Sequence, residues 1–419
     1  MYTRTHTGPR AGSRSRGAST FRGGRPQRHT AHPSHGGRRF GAPRGGARRQ
    51  RGEHIDISRF IHTPLETIHT ETKETARPFS QLDLSRPMLD LLAKEGYENA
   101  MPIQFEAIPY ILDGRDLIGK ANTGTGKTAA FLIPLIEKIT KEPREHALIL
   151  APTRELAMQI ESEFKKFSAG RHMYAAVCVG GMPIGRQLAD LRRAPAFVIG
   201  TVGRIKDLTE RGSLPLSAFS YVVLDEVDQM LDMGFVDDIK RIMAAVPPKR
   251  QTLFFSATMP PKIRELTKSF LTDPIAVEIA APHRTVNIKQ DIVRVSDHTK
   301  KFEELERLLG RKELEKVLIF SETKRDVERL AKELVRKGFT AESIHGDKRQ
   351  RERTHSLTLF RDGKVKILVA TDVAARGLDI KDISHVINYT IPQTHDDYVH
   401  RIGRTGRAGK GGAAITFVE

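Results

Sequence analysis

An eight-residue run, ANTGTGKT at Ala121 to Thr128, has the composition and spacing of a phosphate-binding loop. It follows the apolar run DLIG at 116–119 and precedes apolar residues that recur at helical spacing: Leu132, Leu135, Ile136 and Ile139. Strand, glycine loop and helix N-terminus in this order aim backbone N–H groups at a triphosphate. We expect Lys127 to neutralise phosphate charge and the Thr128 hydroxyl to bind Mg²⁺, with further nucleotide contacts from Thr123, Gly124, Thr125 and Gly126. Because Ala121 stands where the general pattern has glycine, a glycine-rich turn without nucleotide is the alternative.

The acidic run DEVD, Asp225 to Asp228, directly follows the apolar stretch YVVL. A carboxylate at the end of a buried strand can hold Mg²⁺ beside the phosphates, and a neighbouring carboxylate can orient and deprotonate the attacking water. We therefore assign Asp225 to the metal and Glu226 to the water. A solvated acidic turn is the alternative for an acidic pair considered alone.

Near the end of the chain, HRIGRTGR at His400 to Arg407 contributes two candidate catalytic cations. Guanidinium groups stabilise the charge that develops on a transferring phosphoryl group. If Arg404 and Arg407 are delivered by a second domain, hydrolysis depends on the closing of two domains. An ordinary basic surface loop is the alternative for this segment alone.

Two sets of buried strands must position these residues. From Arg77 onward, short apolar runs alternate with amphipathic segments, which is typical of parallel sheets covered by helices. The first half contains ALILA (147–151), FVIGT (197–201), YVVLD (221–225) and TLFFS (252–256), and the second contains VLIFS (317–321), KILVAT (366–371), HVINYT (385–390) and AITFV (414–418). The sequence therefore predicts an α/β protein with domains at 77–281 and 291–419, joined by a linker at 282–290.

Composition restricts the class of protein. At 419 residues the chain exceeds the usual size of one hydrophobic core. No stretch approaches the roughly 20 apolar residues that span a bilayer, so we expect a soluble, cytoplasmic protein without membrane contacts. The single cysteine, Cys178, cannot form an intramolecular disulfide and lies in the apolar run AAVCV. We expect it to be an inert core thiol.

Residues 1–53 form an Arg/Gly-rich tail, and residues 54–76 form a polar, Thr-rich linker. The net charge of the chain is +18, and residues 1–52 hold 13 Arg with no Lys and no acid, so the remainder carries only +5. The tail has too little apolar surface to offset its ordering entropy, so we expect disorder. Flexible arginines pair with phosphates and stack on bases, which predicts sequence-tolerant RNA binding. A solubilising tail and an organelle transit peptide are the alternatives.

These signals belong to a longer series of motifs. In chain order they are Phe79 with GYENAMPIQ (96–104), ANTGTGKT, APTREL (151–156), Gly180 and Gly181, TVGR (201–204), DEVD, SAT (256–258), VLIFSET (317–323), HGDKRQRER (345–353), ATDVAARGLD (370–379) and HRIGRTGR. Over residues 77–419 the series resembles the DEAD-box ATP-dependent RNA helicases of superfamily 2. The resemblance implies two tandem RecA-like domains and RNA-stimulated ATP hydrolysis, coupled to local, non-processive unwinding of short RNA duplexes or to remodelling of RNA–protein complexes.

Further nucleotide-site residues follow from the resemblance. Gln104 is expected to read the adenine edge, Phe79 to stack on the ring, and Asp379 to contact the ribose. Four residues are expected to couple hydrolysis to RNA: Asp228, Ser256, Thr258 and His400.

The resemblance also implies contacts with the RNA backbone. On the first domain the matching residues are Pro152, Thr153, Arg154, Gly181, Thr201 and Arg204, and on the second they are Thr323, Gly346, Arg353 and Thr371. Contacts with phosphates and 2′-hydroxyls would hold any RNA sequence and distinguish RNA from DNA. Turn formation is the alternative for the glycines, and surface salt bridges are the alternative for Arg154 and Arg353.

Several positions depart from the family pattern. Val227 replaces the alanine of the DEAD motif, but we expect activity to survive because the carboxylates remain. Ala100 and Met101 replace Pro-Thr, which is expected to weaken adenine recognition, and Val202 replaces proline in TVGR, which leaves that turn less fixed. The chain ends at Glu419, where the family continues with a helix, so we expect a truncated or minimal second domain.

We expect a monomer that binds ATP, Mg²⁺ and single-stranded RNA across an interdomain cleft. Closure would bend one strand and expel its partner, and hydrolysis would reopen the clamp. A non-unwinding RNA clamp shares all these motifs. A DNA translocase is a second alternative, which the adenine-reading segment at 96–104 disfavours.

Overall fold

The structure is a computed structural model that describes residues 77–121, 124–279, 288–375, 380, 382–406 and 411–418. The predicted tail and the linker at 54–76 lie outside these residues. The described chain forms two parallel sheets, each flanked by helices, and one short antiparallel pair of strands. No helix of this part of the chain is both long enough and apolar enough to cross a membrane.

The first lobe, residues 77–279, is built on a seven-stranded sheet. The strands of the first lobe, including two that lie outside this sheet, are β1 (Arg77–Pro78), β2 (Asn99–Ala100), β3 (Leu117–Lys120), β4 (Ala147–Ala151), β5 (Ala175–Cys178), β6 (Phe197–Thr201), β7 (Tyr221–Asp225), β8 (Gln251–Ser256) and β9 (Ile275–Glu278). The sheet order is β5-β6-β4-β7-β8-β3-β9, with all pairings parallel, while β1 and β2 pair separately.

The helices of the first lobe connect these strands. They are α1 (Arg86–Lys94), α2 (Pro102–Leu112), α3 (Lys127–Lys141), α4 (Arg154–Phe167), α5 (Ile184–Leu191), α6 (Val202–Glu210), α7 (Val227–Asp232), α8 (Val236–Ala245) and α9 (Pro261–Phe270). Short 3₁₀ helices occur at Phe79–Gln81 and Leu216–Ala218.

The second lobe, residues 288–418, is built on a six-stranded sheet. Its strands are β10 (Ile288–Arg294), β11 (Val317–Phe320), β12 (Ala341–Ile344), β13 (Ile367–Ala370), β14 (His385–Asn388) and β15 (Gly412–Val418). They lie in the order β10-β15-β14-β11-β13-β12, again with parallel pairings. The helices are α10 (His298–Leu309), α11 (Lys324–Arg336), α12 (Gln350–Arg361), α13 (Asp372–Ala375) and α14 (His395–Ile402).

Strand β10 begins at Ile288, within the stretch 282–290 that the sequence assigns to a linker. The first three residues of the strand therefore fall in that stretch. The rest of it, 282–287, lies outside the described residues. The sheet changes from the first lobe to the second between Glu278 and Ile288.

Neighbouring residues of a strand point to opposite faces of the sheet, and helices cover both faces of the inner strands. In β4, Leu148 packs into the core with Ile205 and Ile239, whereas Ile149 packs into the opposite core with Phe131 and Phe164. Each such side chain contributes about 1.5–3 kcal/mol by leaving water. This packing fixes the strands, so the segments that follow their carboxyl ends lie along one edge of the sheet, where α/β proteins bind ligands.

Candidate active site

The predicted phosphate-binding loop connects β3 to α3. Gly124 and Gly126 have φ values of +81° and +87°, which favour glycine, and Gly126 caps the N-terminus of α3. Lys127 is buried, and its Nζ donates to the Ala121 carbonyl oxygen at 3.0 Å. The lysine therefore closes the loop on itself. Thr128 is half-buried, and Thr123 lies outside the described residues.

Gln104 ties α2 to the phosphate-binding loop. Its Nε2 donates to the Gly126 carbonyl oxygen at 3.1 Å, and its Oε1 accepts from the Met101 backbone N–H at 2.9 Å. A Cβ at Gly126 would lie 2.3 Å from Gln104 Nε2 and 2.9 Å from Met101 Sδ. Met101, which replaces the threonine of the family pattern, therefore packs against the loop. Phe79 is only 2% exposed and lies in the core of the first lobe.

Asp225 is the last residue of β7, and Glu226 follows it. Asp225 is 2% exposed, and its Oδ1 accepts from the Glu226 backbone N–H at 3.0 Å. Burial raises the pKa of the Asp225 carboxyl, while the positive charge of Lys127 acts in the opposite direction. Glu226 has φ 53° and ψ 55°, a left-handed conformation that is rare outside glycine and that turns the chain sharply between β7 and α7.

Asp228 joins the DEVD and SAT segments. Its Oδ2 accepts from the backbone N–H groups of Ala257 (3.0 Å) and Thr258 (2.8 Å) and from the Thr258 hydroxyl (3.0 Å). In return, the Asp228 backbone N–H donates to Ser256 Oγ at 3.3 Å. The Ser256 carbonyl oxygen accepts from the Ala121 N–H at 3.1 Å. A displacement of the phosphate-binding loop can therefore reach the SAT segment through a continuous set of hydrogen bonds.

The two lobes meet at a cleft. We call it the interlobe cleft, and its lining residues are Glu226, Asp228, Gln229, Asp232, Ala257, His400 and Arg404. The first lobe supplies the acidic side chains, and the second lobe supplies His400 and Arg404, the latter only 6% exposed. The geometry thus brings the predicted carboxylate Glu226 and the predicted cation Arg404 into one cavity. Arg407 and Asp379 lie outside the described residues.

Three of the predicted RNA-binding residues of the first lobe contact one another or share a neighbour. Gly181 has φ +74°, which favours glycine, and the Arg154 guanidinium packs closely against it, since a Cβ there would lie 2.2 Å from Arg154 Nη1. Arg204 Nη1 donates to Gln187 Oε1 at 3.0 Å. Gln187 is buried, and its Nε2 donates to the Val179 carbonyl oxygen at 3.0 Å. Gln187 therefore connects the segment before Gly180 and Gly181 to α6.

A buried ion pair joins the lobes next to this surface. Arg353 Nη2 lies 2.9 Å from Glu155 Oε2, and the two side chains are 8% and 5% exposed. Gln350 Nε2 donates to Glu155 Oε1 at 3.2 Å, and Arg154 Nη1 donates to Gln350 Oε1 at 3.4 Å. Burial lowers the pKa of the Arg154 guanidinium, and the like charge of Arg353 adds to this effect. Arg353, predicted to contact RNA, is thus held by a carboxylate of the other lobe.

The remaining predicted RNA-binding residues lie at helix starts and strand ends. Thr153 and Thr323 are N-caps: their hydroxyl oxygens accept from the backbone N–H groups of Leu156 and Asp326. Pro152 is buried, Thr201 is the half-buried N-cap of α6, and Thr371 is half-buried after β13. Gly346 is exposed. The two threonine caps have a structural function that is independent of any ligand.

Sequence reasoning did not identify Glu155, Gln187, Gln229 or Gln350 as site residues. Glu155 and Gln350 lie inside the motifs APTREL and HGDKRQRER, so their position was a signal. Their partners are 195 or more residues away in the chain, which spacing alone cannot reveal. Among the residues that the structure describes, no group of three or more His, Cys, Asp or Glu side chains forms a metal site.

Comparison with known families identifies two matching regions. A family model described as DEAD/DEAH box helicase matches residues 101–266, and one described as Helicase conserved C-terminal domain matches residues 300–409. The ATP-dependent RNA helicase CshA of Listeria monocytogenes is 48% identical over 343 residues, which are 81% of this chain and 66% of that protein. The DEAD-box ATP-dependent RNA helicase CshA of Geobacillus kaustophilus is 48% identical over 342 residues, 81% of this chain and 73% of that protein.

A solved structure has the same arrangement of elements. The structure of S. cerevisiae Dbp5 bound to RNA and ADP BeF3 is 31% identical, with a TM-score of 0.73, over 82% of this chain and 90% of that one. The match confirms the predicted fold class of two tandem RecA-like domains with parallel sheets flanked by helices.

Proposed function

The chain belongs to the DEAD-box family of ATP-dependent RNA helicases, and on this premise we propose that it hydrolyses ATP in the interlobe cleft when RNA is bound. The reaction is RNA-stimulated hydrolysis of ATP to ADP and phosphate, coupled to local, non-processive separation of short RNA duplexes. The observation that carries this proposal is the cleft itself, in which Glu226 of the first lobe faces His400 and Arg404 of the second. Only closed lobes bring these groups together, so turnover depends on closure.

The phosphates occupy the loop between β3 and α3. Lys127 leaves the Ala121 carbonyl and pairs with phosphate oxygens, and the backbone N–H groups of 123–128 complete the cradle. Gln104 reads the adenine edge, for which its amide must exchange its bonds to Gly126 and Met101 for bonds to the base. Phe79 stacks on the base, for which its buried ring must become accessible, and Asp379 contacts the ribose.

Magnesium fits the donor set at the end of β7. Asp225 is a buried carboxylate whose pKa is raised by burial, so a cation beside it would favour its charged form. Mg²⁺ prefers one or two carboxylates completed by a hydroxyl, phosphate oxygens and waters, and Asp225 with Thr128 supplies the protein part of that set. When bound, the ion neutralises charge on the phosphates.

Glu226 and the arginines carry out the chemistry. Glu226 lines the cleft, where it orients a water for in-line attack and accepts its proton. Arg404 approaches from the other lobe and stabilises the charge on the transferring phosphoryl group, and Arg407 assists it. Val227 is fully buried in the core beneath these groups, so its extra methyl groups point away from the reacting atoms.

Four residues couple ATP hydrolysis to the separation of RNA strands: Asp228, Ser256, Thr258 and His400. The hydrogen bonds that join Asp228 to the SAT segment, together with the bond from Ala121 to Ser256, connect the phosphate-binding loop to the lobe interface. Loss of the γ-phosphate changes this set of bonds and reopens the lobes.

RNA lies across both lobes next to the Glu155–Arg353 pair. Its backbone contacts Pro152, Thr153, Arg154, Gly181, Thr201 and Arg204 of the first lobe and Thr323, Gly346, Arg353 and Thr371 of the second. Backbone contacts hold any sequence, which suits a helicase with broad substrates. The Arg/Gly tail adds sequence-tolerant RNA contacts. A monomeric state and a cytoplasmic location stay predictions from the sequence.

The test compares wild type with Glu226→Gln and with Glu265→Gln, an exposed glutamate on α9 that serves as control. ATP hydrolysis and displacement of a short RNA strand are measured with ATP, with a non-hydrolysable analogue and without nucleotide. We expect Glu226→Gln to keep ATP and RNA binding and to lose turnover by about 10²-fold or more, because general-base catalysis contributes that much. The control should match wild type.

Three results would contradict the proposal in different ways. Unchanged turnover in Glu226→Gln would remove this residue from its role. RNA binding that depends on ATP without strand displacement would identify a clamp, and equal stimulation by DNA and RNA would identify a translocase without RNA specificity.

A further inference from the structure

The side chain of Gln229 is buried without the hydrogen bonds that normally offset the burial of an amide. The residue is 5% exposed, and neither its Oε1 nor its Nε2 has a hydrogen-bond partner among the described residues. Its backbone is fixed in α7, where the N–H donates to Asp228 Oδ1 at 3.0 Å and the carbonyl oxygen accepts from Met233 N–H at 3.1 Å. The side chain lines the interlobe cleft.

A buried amide without partners destabilises the folded lobe, because its hydration is lost and nothing replaces it. An apolar side chain of the same shape would fill this position at lower cost. Native proteins satisfy nearly all buried polar groups, so an exception needs an explanation, and one explanation is a catalytic role. Gln229 lines the same cleft as Glu226, Asp228 and Arg404, and this location points to that explanation.

The chemistry of the cleft lining shows what the amide can do. The carboxylates of Glu226, Asp228 and Asp232 only accept hydrogen bonds, and the Arg404 guanidinium only donates them. A carboxamide does both at once: its NH₂ group donates to a carboxylate while its oxygen accepts from a guanidinium. Gln229 is therefore suited to link the acidic first lobe to the cationic second lobe, directly or through a water.

We propose that Gln229 is a positioning residue for ATP hydrolysis. In the hydrolysing state its amide oxygen accepts a hydrogen bond from Arg404, directly or through one water. Its NH₂ group donates to the carboxylates of the first lobe. It holds the guanidinium in place for the reacting phosphate but contacts neither ATP nor RNA. This inference rests on the proposed function, because it assigns Arg404 to the transferring phosphoryl group.

The decisive variant is Gln229→Met, which keeps the length of the side chain and removes both polar atoms. The matched control is Gln251→Met, since Gln251 is also a buried glutamine of the first lobe, 6% exposed, at the start of β8. Its Nε2 donates to the carbonyl oxygens of Ile111 (3.0 Å) and Arg115 (2.7 Å). The two glutamines share their chemistry and differ in whether the NH₂ group is bonded within the lobe, since the Oε1 of each lacks a partner among the described residues.

The proposal predicts opposite results for the two variants. Gln229→Met lowers the RNA-stimulated kcat by about tenfold or more, leaves KM for ATP and for RNA within about twofold of wild type, and has an equal or higher urea midpoint. Gln251→Met lowers the urea midpoint, because two carbonyls lose their donor, and leaves kcat per folded molecule unchanged.

A purely structural role for Gln229 would give a lower urea midpoint with unchanged kcat, or an unfolded variant, and either result overturns the proposal. A Gln229→Met protein that is as stable and as active as wild type overturns it as well. The wild-type protein separates the proposed function from the role of Gln229. If wild type shows no RNA-stimulated ATP hydrolysis, the proposed function is wrong. If wild type and the Gln229→Met variant are equally active, only the role of Gln229 is rejected.

Discussion

Replacing Glu155 by glutamine tests whether the lobes are held together by the buried pair with Arg353. Glu155 Oε2 and Arg353 Nη2 are 2.9 Å apart, and the two side chains are 5% and 8% exposed, so solvent screens their interaction little. The amide oxygen of the Glu155→Gln variant would still accept a hydrogen bond from Arg353, but the bond would no longer join two opposite charges. The Arg353 guanidinium would then be buried without its counter-charge, and removing one partner of a buried ion pair costs about 3–5 kcal/mol. Because the amide oxygen still accepts a hydrogen bond, we expect the lower end of this range, about 3 kcal/mol.

The Glu155→Gln substitution should weaken the closed arrangement of the two lobes rather than the folding of either lobe, because both side chains return to water when the lobes separate. A loss of about 3 kcal/mol corresponds to a closed state that is weaker by about two orders of magnitude. The assay is RNA affinity in the presence of a non-hydrolysable ATP analogue, which reports closure without turnover. Glu161→Gln is the control, since Glu161 is half-buried and forms an ion pair within one lobe, with the exposed Lys165, that contributes about 0.5 kcal/mol or less.

Arg353 is also a predicted RNA contact, so a double-mutant cycle with Arg353→Met separates its two roles. If the pair links the lobes, Glu155→Gln has little further effect in the Arg353→Met background. Additive effects, or RNA affinity of Glu155→Gln within about twofold of wild type, would refute the reasoning.

Three further predictions concern individual side chains. Gly126→Ala places a methyl group 2.3 Å from Gln104 Nε2 at φ +87°, so ATP affinity measured by titration should fall about tenfold or more; unchanged affinity would contradict the geometry of the loop. Burial raises the pKa of the Cys178 thiol to about 12, so a thiol reagent at pH 8 should label the unfolded protein and spare the native one. Hydrogen bonding from Ser343 lowers the pKa of Glu328 to about 2, so its stabilisation is present above pH 4.5 and is lost as the pH falls toward 2. Glu328→Gln should reduce the free energy of unfolding by about 1 kcal/mol at pH 7, after allowing for solvent screening, and the difference in urea unfolding should shrink in acid.

The inner strands of both sheets could be predicted from the sequence, and the edge strands could not. Runs such as ALILA and VLIFS coincide with β4 and β11, which are buried on both faces and therefore continuously apolar. The strands that were missed, β5, β9, β10 and β12, are the four edges of the two sheets. In β10, for example, exposed Lys289 and Asp291 interrupt the apolar pattern, so the segment resembled a linker.

Most of the site followed from motifs because its residues lie next to each other in the chain. Asp225, Glu226 and Asp228 share one strand end, and the phosphate-binding loop is continuous. The link between the lobes required three-dimensional information, since Glu155 and Arg353 belong to different motifs and lie in different lobes. The hydrogen bond from Lys127 to its own loop could not be predicted from the sequence either, because a motif specifies which side chain is present but not which partner it has.

The most direct test of a shared active site is the rate of ATP hydrolysis by Arg404→Ala, with and without RNA. Arg336→Ala, an exposed arginine at the end of α11, is the control. Because Arg404 enters the interlobe cleft from the second lobe, we predict an RNA-stimulated kcat about 10³-fold below wild type, with ATP binding retained and the control unaffected. RNA-stimulated turnover within about twofold of wild type would contradict hydrolysis by the two lobes together.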